Sequence, residues 1–324
     1  MKAGRTRKSK TTKPPKVRYR YGIGEWYGKV FVTIDPAERA RLADLQFQTA
    51  KDRPVMPCPF RQISKVRNPA CKKAGGVCTL RLYQLDPSSR LVTAASGAAG
   101  ALVTLCPYRF QEAGLIYKWI GETLLDTAGP IVVSELGFLE QPVEEDLEAT
   151  SNSGEDVGRI DSVLVHPSLT PLVWCALEMQ AVYFSGSAMK QEFEVLRVSQ
   201  GKEVLFPAAH RRPDYRSSGP KRLMPQLQIK VPALRRWGKK MAVVVDRSFF
   251  DSLGKMDHVK DVSNSDIAWF IVRYEEVPGT GAILKPDEVR FTTLERAVEG
   301  LTGGTPIGVS EFESRIRAKL AAKT

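Results

Sequence analysis

Asp161 in "RIDSVLV" and the pair Glu178 and Gln180 in "WCALEMQAVYF" are polar residues set in otherwise apolar runs. A strand alternates its side chains between two faces, so Glu178 and Gln180 share a face. Burying a carboxylate there costs free energy unless something compensates its charge. Asp161 stands near the start of one strand-like segment and Glu178 on the next, so pairing the two segments brings both acids to one edge of a sheet. Close carboxylates repel unless a proton or a cation lies between them. A hard divalent ion such as Mg²⁺, held by Asp161, Glu178 and the carbonyl of Met179, resolves the conflict and lowers the pKa of a bound water. The chemistry indicated is metal-assisted hydrolysis. Gln180 has no useful protonation near neutral pH, so it orients water rather than acting as a base.

A second constellation is Cys58, Cys71, Cys78 and Cys106, spaced C-x12-C-x6-C-x27-C. Four thiolates suit tetrahedral zinc, a single iron or an Fe–S cluster. Free cysteines also serve as small buried hydrophobes, which fits Cys175 in its apolar run. Pro, Gly and Lys neighbours place the other four in tight turns, and a structural metal site is the favoured reading. His166, His210 and His258 lie in no nucleophile motif. "LTGGTPIG" lacks the Gly-Lys-Ser/Thr of a phosphate loop and reads as a helix-ending turn.

The elements that must position these residues follow from pattern. Residues 21–36 read as turn and strand, and Asp35-Pro36 opens a helix. "FQEAGLIYKWIGETLLDTAG" carries Leu115, Trp119, Ile120 and Leu124 at helical spacing and stops at a glycine. "PIVVSELGFL", "GRIDSVLVHP" and "LVWCALEMQAVYF" are strand-like, with an acidic loop at 140–158 after the first. A helix is expected near Leu223–Trp237 despite Pro225 and Pro232, then strands "MAVVVD" and "AWFIVRYE". Two terminal helices show capping-box spacing, Thr292 with Glu295 and Ser310 with Glu313.

The 324 residues are 43% hydrophobic, enough for a full core. No apolar run reaches membrane-spanning length, and the basic start lacks a secretory h-region, so a soluble, cytoplasmic protein without membrane contact is expected. Residues 1–20 hold nine of the 48 basic residues and no acid, leaving 39 basic against 36 acidic over the rest. The net charge of +12 is therefore mostly a tail, read as disordered and suited to a phosphate backbone or to solubility. Arg211, Arg212, Arg216, Lys221 and Arg222 form a basic stretch for DNA contact, and Arg235, Arg236, Lys239 and Lys240 a second. Arginine matches guanine edges, whereas lysine suits phosphates. For each such residue the alternative is an ordinary solvated surface.

The spacing of Asp161 and Glu178-x-Gln180 resembles the PD-(D/E)xK nuclease signature, with Gln180 where lysine is usual. Both constellations together, with "GEWYGKVF", "CPF", "GVC", "CP", "VVSEL", "RIDSVLV", "LEMQAVYFSG", "KRLMPQLQIK" and "AWFIV" in this order, are similar to the NotI family of type II restriction endonucleases from Tyr21 to Tyr274. The resemblance implies an α/β (α+β) fold: a restriction-endonuclease-like central mixed sheet flanked by helices, with an N-terminal four-cysteine metal-binding region. It divides the chain into a tail at 1–20, the four-cysteine region at 21–109, a nuclease core at 110–275 and a C-terminal helical extension at 276–324. It implies catalytic roles for Asp161, Glu178 and Gln180, and Glu135 in "VSEL" matches a further acidic position. Gln226 and Lys230 match positions that support the site or the DNA backbone.

The same resemblance implies catalytic Mg²⁺ and a structural iron, with zinc as the alternative. It further implies a homodimer cutting double-stranded DNA at a specific, palindromic, GC-rich site beside a cognate methyltransferase. The competing readings are a repair or recombination nuclease without strict specificity and a metal-stabilised DNA-binding protein that does not cleave.

Overall fold

The computed structural model describes residues 16–49, 51–61, 69–140, 156–201, 205–303 and 307–321. The first strand, β1 (Arg18–Trp26), turns through Tyr27 and Gly28, both at positive φ, into β2 (Lys29–Val30). Glycine bears that backbone without penalty, and a Cβ at Gly28 would strike Pro59. Asp35 caps α1 (Pro36–Leu45) by accepting from the Glu38 N–H at 2.9 Å, with Pro36 at the first position, as the sequence predicts. β3 (Val77–Leu85) pairs with β1, and β4 (Val92–Ala94) and β5 (Val103–Thr104) complete this sheet against β3. Of the expected tail, residues 1–15 lie outside the described residues, while Arg18 and Arg20 belong to β1.

Downstream come α2 (Leu115–Leu124), β6 (Ile131–Glu140), β7 (Asp156–Val165), β8 (Trp174–Met179), β9 (Tyr183–Gly186), α3 (Lys190–Val198), β10 (Arg211–Asp214), α4 (Tyr215–Ser218) and α5 (Met224–Arg236). They are followed by β11 (Met241–Asp246), α6 (Arg247–Asp251), β12 (Ile267–Val277), β13 (Gly281–Thr292), α7 (Leu294–Thr302) and α8 (Val309–Ala321). The expected helix from residue 110 begins only at Leu115, because Ala113 and Gly114 take positive φ and break the turn.

The main sheet runs β13-β12-β11-β8-β7-β6. β11 is parallel to both β8 and β12 and the other pairs are antiparallel, so the sheet is mixed, as expected. Central β11 is buried at every position, as a strand covered on both faces must be. On one face Leu227, Val231 and Leu234 of α5 pack with Val243, Val245 and Trp269. On the other, Ile116 and Ile120 of α2 pack with Leu164, Leu177 and Phe270.

The C-terminal segment differs from the helical extension expected at 276–324. It opens with β13, paired along its length with β12 at the sheet edge, and an edge position tolerates Pro286 in that strand. Thr293, rather than Thr292, caps α7, and Ser310 lies within α8. The Thr292 hydroxyl instead accepts from Trp269 Nε1 at 2.9 Å in the core.

One buried ion pair ties the N-terminal sheet to this edge. Arg109 Nε lies 2.8 Å from Glu25 Oε2 with both side chains fully buried, and Nη2 of Arg109 donates to the Ala282 carbonyl. Burial pushes the Glu25 carboxyl up, and Arg109 draws it down. Truncating one member of such a pair strands a charge. Glu25→Ala is expected to cost about 3–5 kcal/mol in chemical denaturation, and a loss under about 1 kcal/mol would show the pair to be marginal.

Candidate active site

β7 and β8 pair with Ser162 opposite Leu177, and the register continued by one residue sets Asp161 beside Glu178. β6 and β7 pair at Ser134 with Ser162 and at Leu136 with Ile160, leaving Glu135 on the row of Asp161. Glu135 has φ +57°, a left-handed conformation that interrupts the ladder there. Three acids thus stand on one transverse row across three adjacent strands. They differ in solvation: Glu178 is 4% exposed, whereas the Asp161 side chain is 64% exposed and Glu135 lies open on the edge strand.

The cation facing this row comes from α5. Lys230 Nζ donates to Glu178 Oε2 at 2.8 Å and to Gln226 Oε1 at 2.9 Å, and lies 3.8 Å from Asp161 Oδ1. Its side chain is buried. The reason is local: Leu227, Val231 and Leu234 form the buried stripe of α5, and Lys230 occupies the i+3 place in that stripe. A lysine there must find an acid, and Glu178 is that acid. The resemblance marks Lys230 as support for the site or the DNA backbone, but its partner lies 52 residues away and no short-range pattern names it.

Burial, opposed by Lys230 and reinforced by the Asp161 charge, leaves the Glu178 carboxyl raised to about 7. The sign is fixed by linkage: the unfolded chain releases this proton near 4.5 and the folded chain near 7. Stability from this group is therefore intact below pH 4.5 and is lost as pH rises to 7, by about 3 kcal/mol. Denaturant titrations in chelator at several pH values should show that decline in the wild type and a flatter profile in Glu178→Gln. An identical decline in both would assign it elsewhere.

Gln180 lies one residue beyond β8, yet its N–H still donates to the Val244 carbonyl at 3.0 Å. Its side chain is buried, and Nε2 donates to the Ala181 carbonyl at 2.5 Å. The basic stretch begins in β10, which pairs antiparallel with β9. Arg212, Arg216, Lys221 and Arg222 are exposed, and Arg222 stacks over the Tyr183 ring at 3.7 Å. Arg211 departs from its expected place on the DNA surface. Its guanidinium is buried against Glu192 at 2.6 Å and also donates to the carbonyls of Ser187 and Ala188. An open cleft of about 840 Å³ is lined by Arg216 and Lys221 together with Leu301 and Gly303. In the second basic cluster Arg235 is engaged with Asp266 and Glu295, and Lys240 with the Ser263 carbonyl. The histidines serve contacts of the fold: His210 meets Arg20, and His258 meets Arg290.

Three of the four cysteines share one cluster, Cys58 and Cys78 with Cys71 against Phe60 and Tyr108. Cys106 joins through its N–H, 3.2 Å from the Cys78 carbonyl. Burial raises the thiols of Cys71, Cys78 and Cys106, and each feels the charge of its neighbours. The donor set suits a thiophilic ion. As placed, however, no group of three or more His, Cys, Asp or Glu side chains among the described residues could hold a metal ion. This departs from the four-cysteine metal region expected in the fold. At the acid row two carboxylates converge, hard donors of the kind Mg²⁺ takes. Cys175 is a buried core residue of β8, its thiol pushed up to about 12.

Fold and site together are those of an α/β protein with acids clustered on adjacent strands and a buried lysine facing them from α5. The family model of restriction endonuclease NotI matches residues 41–283. The chain belongs to the NotI family of restriction endonucleases, a family of nucleases acting on DNA. The matched span includes the acid row, Lys230 and all four cysteines. No curated protein matches the chain significantly, and no helix among the described residues is long and apolar enough to cross a membrane.

Proposed function

We propose that the protein is a Mg²⁺-dependent type II endonuclease of the PD-(D/E)xK kind. It acts as a homodimer on a palindromic, GC-rich site in double-stranded DNA, with a cognate methyltransferase protecting host DNA. The observation that carries this reading is the pairing of Asp161 and Glu178 on one row with Lys230 of α5 facing both.

Asp161 and Glu178, with the Met179 carbonyl, would hold the ion. Mg²⁺ when bound neutralises phosphate charge and lowers the pKa of water. The remaining work falls to the chain. Lys230 holds Glu178 by one oxygen, fixing the carboxylate, and places an ammonium beside the row where phosphate charge must be met. This supplies from α5 the cation that the signature places at position 180. Gln180 stays a neutral positioning group, and exposed Glu135 offers a further oxygen donor. Arg212, Arg216, Lys221 and Arg222 would line the DNA, the arginines toward guanine edges and the lysine toward phosphate.

The test is digestion of mixed plasmid DNA with Mg²⁺ or Mn²⁺ and mapping of the ends. Cuts at one recurring sequence support the reading. Scattered cuts would make it a nuclease without site specificity, and intact DNA a binding protein.

For Cys58, Cys71, Cys78 and Cys106 we propose one structural iron, on the strength of the chemistry of a four-thiol donor set. Metal analysis of purified protein should return one iron per chain with visible thiolate absorption. A colourless protein with one zinc would replace iron, and a metal-free folded protein would end the proposal.

A further inference from the structure

No residue of α8 is buried, although Val309, Phe312, Ile316 and Leu320 are each 44–71% exposed. Steps of three, four and four residues place these side chains on one stripe of the helix. A helix of 13 residues is marginal in water without packing. The segment lies outside the family match at 41–283, so it adds to what the family supplies.

We propose that α8 packs on α8 of a second copy of this chain, antiparallel about a two-fold axis. Its charge order selects that occupant. Glu311 and Glu313 lie in the first half and Arg315, Arg317 and Lys319 in the second. Such a helix complements itself only when reversed, since parallel pairing opposes like with like. Antiparallel pairing sets Glu313, on one flank of the apolar stripe, against Arg317 of the second copy on the same flank. The same operation brings Phe312 beside Ile316 of the second copy, and Val309 beside Leu320. Within one helix Glu313 already meets Arg317 at 3.4 Å, and Glu311 meets Arg315, so pairing extends these contacts into a network. The surface is isologous, as a two-fold dimer requires. A helix of this length spans about 20 Å, so the contact falls short of the roughly 1,200 Å² of a stable interface. It is a weak contact that strengthens self-association, and it does not depend on whether the protein cleaves DNA.

Sedimentation of the full chain over a concentration series tests this. Phe312→Ala with Ile316→Ala should weaken association about tenfold or more, while the thermal midpoint of the dilute monomer stays unchanged because α8 buries nothing within its own chain. Glu313→Arg and Arg317→Glu should each weaken self-association several-fold, roughly what two repelling rim pairs give. Mixed one to one, these two variants should recover wild-type association although each still carries a like-charged pair within its own helix. Association untouched by the apolar variants, or a mixture that fails to recover, overturns the proposal. A mixture far tighter than wild type would also overturn it, because that is the signature of parallel helices.

Discussion

Glu178→Ala and Asp161→Ala should each lower DNA cleavage by on the order of 10³-fold or more, while binding to DNA in Ca²⁺ or without divalent ions stays within a few-fold of wild type. The expectation differs for stability. Asp161 is largely exposed, so its truncation should leave the fold unchanged. Glu178 is buried on a central strand and is bonded to Lys230. Its loss strands the ammonium, so Glu178→Gln is the cleaner variant: it keeps volume and an acceptor oxygen for Lys230 while removing the charge. Cleavage by purified Asp161→Ala or Glu178→Gln at a tenth of the wild-type rate or more would remove both from the catalytic role. Loss of DNA binding in Asp161→Ala would make that residue part of the DNA surface instead.

What the sequence made legible was the part governed by short-range pattern. The alternation in "RIDSVLV" and "LEMQ" predicts two neighbouring strands, and their register does bring Asp161 beside Glu178. Asp35-Pro36 predicts a capped helix, and α1 begins there with the cap in place. Patterns failed where a tertiary partner decided the outcome. β13 contains Gly281, Pro286 and Asp287, poor strand residues that an edge position accepts because one side of the strand needs no ladder. Arg211 reads like its basic neighbours, but Glu192 lies across from it and draws it inside. Thr292 and Thr293 are adjacent and chemically alike. The core claims the first through Trp269, which leaves the second to cap α7.

Lys230 is the clearest instance, and it carries the second large expectation. Lys230→Met keeps the length and apolar stem of the side chain but removes its cation, leaving Glu178 buried without its partner. Because both groups are nearly dry, solvent screening does not soften the loss, and the variant should be about 3–5 kcal/mol less stable above pH 7. Below pH 4.5 the Glu178 carboxyl is protonated in either state, so most of that deficit should vanish. Adding Glu178→Gln should restore stability at neutral pH, since a neutral amide no longer needs the ammonium. Cleavage separates positioning from packing. If Lys230 only supports the fold, Lys230→Met assayed below its unfolding temperature should retain cleavage within a few-fold. If its ammonium meets phosphate charge, kcat should fall by about 10²-fold or more with DNA affinity nearly unchanged. Lys230→Arg then distinguishes charge from shape: a planar guanidinium keeps the charge but cannot place one donor between Glu178 and Gln226 as the ammonium does, so it should recover stability better than activity.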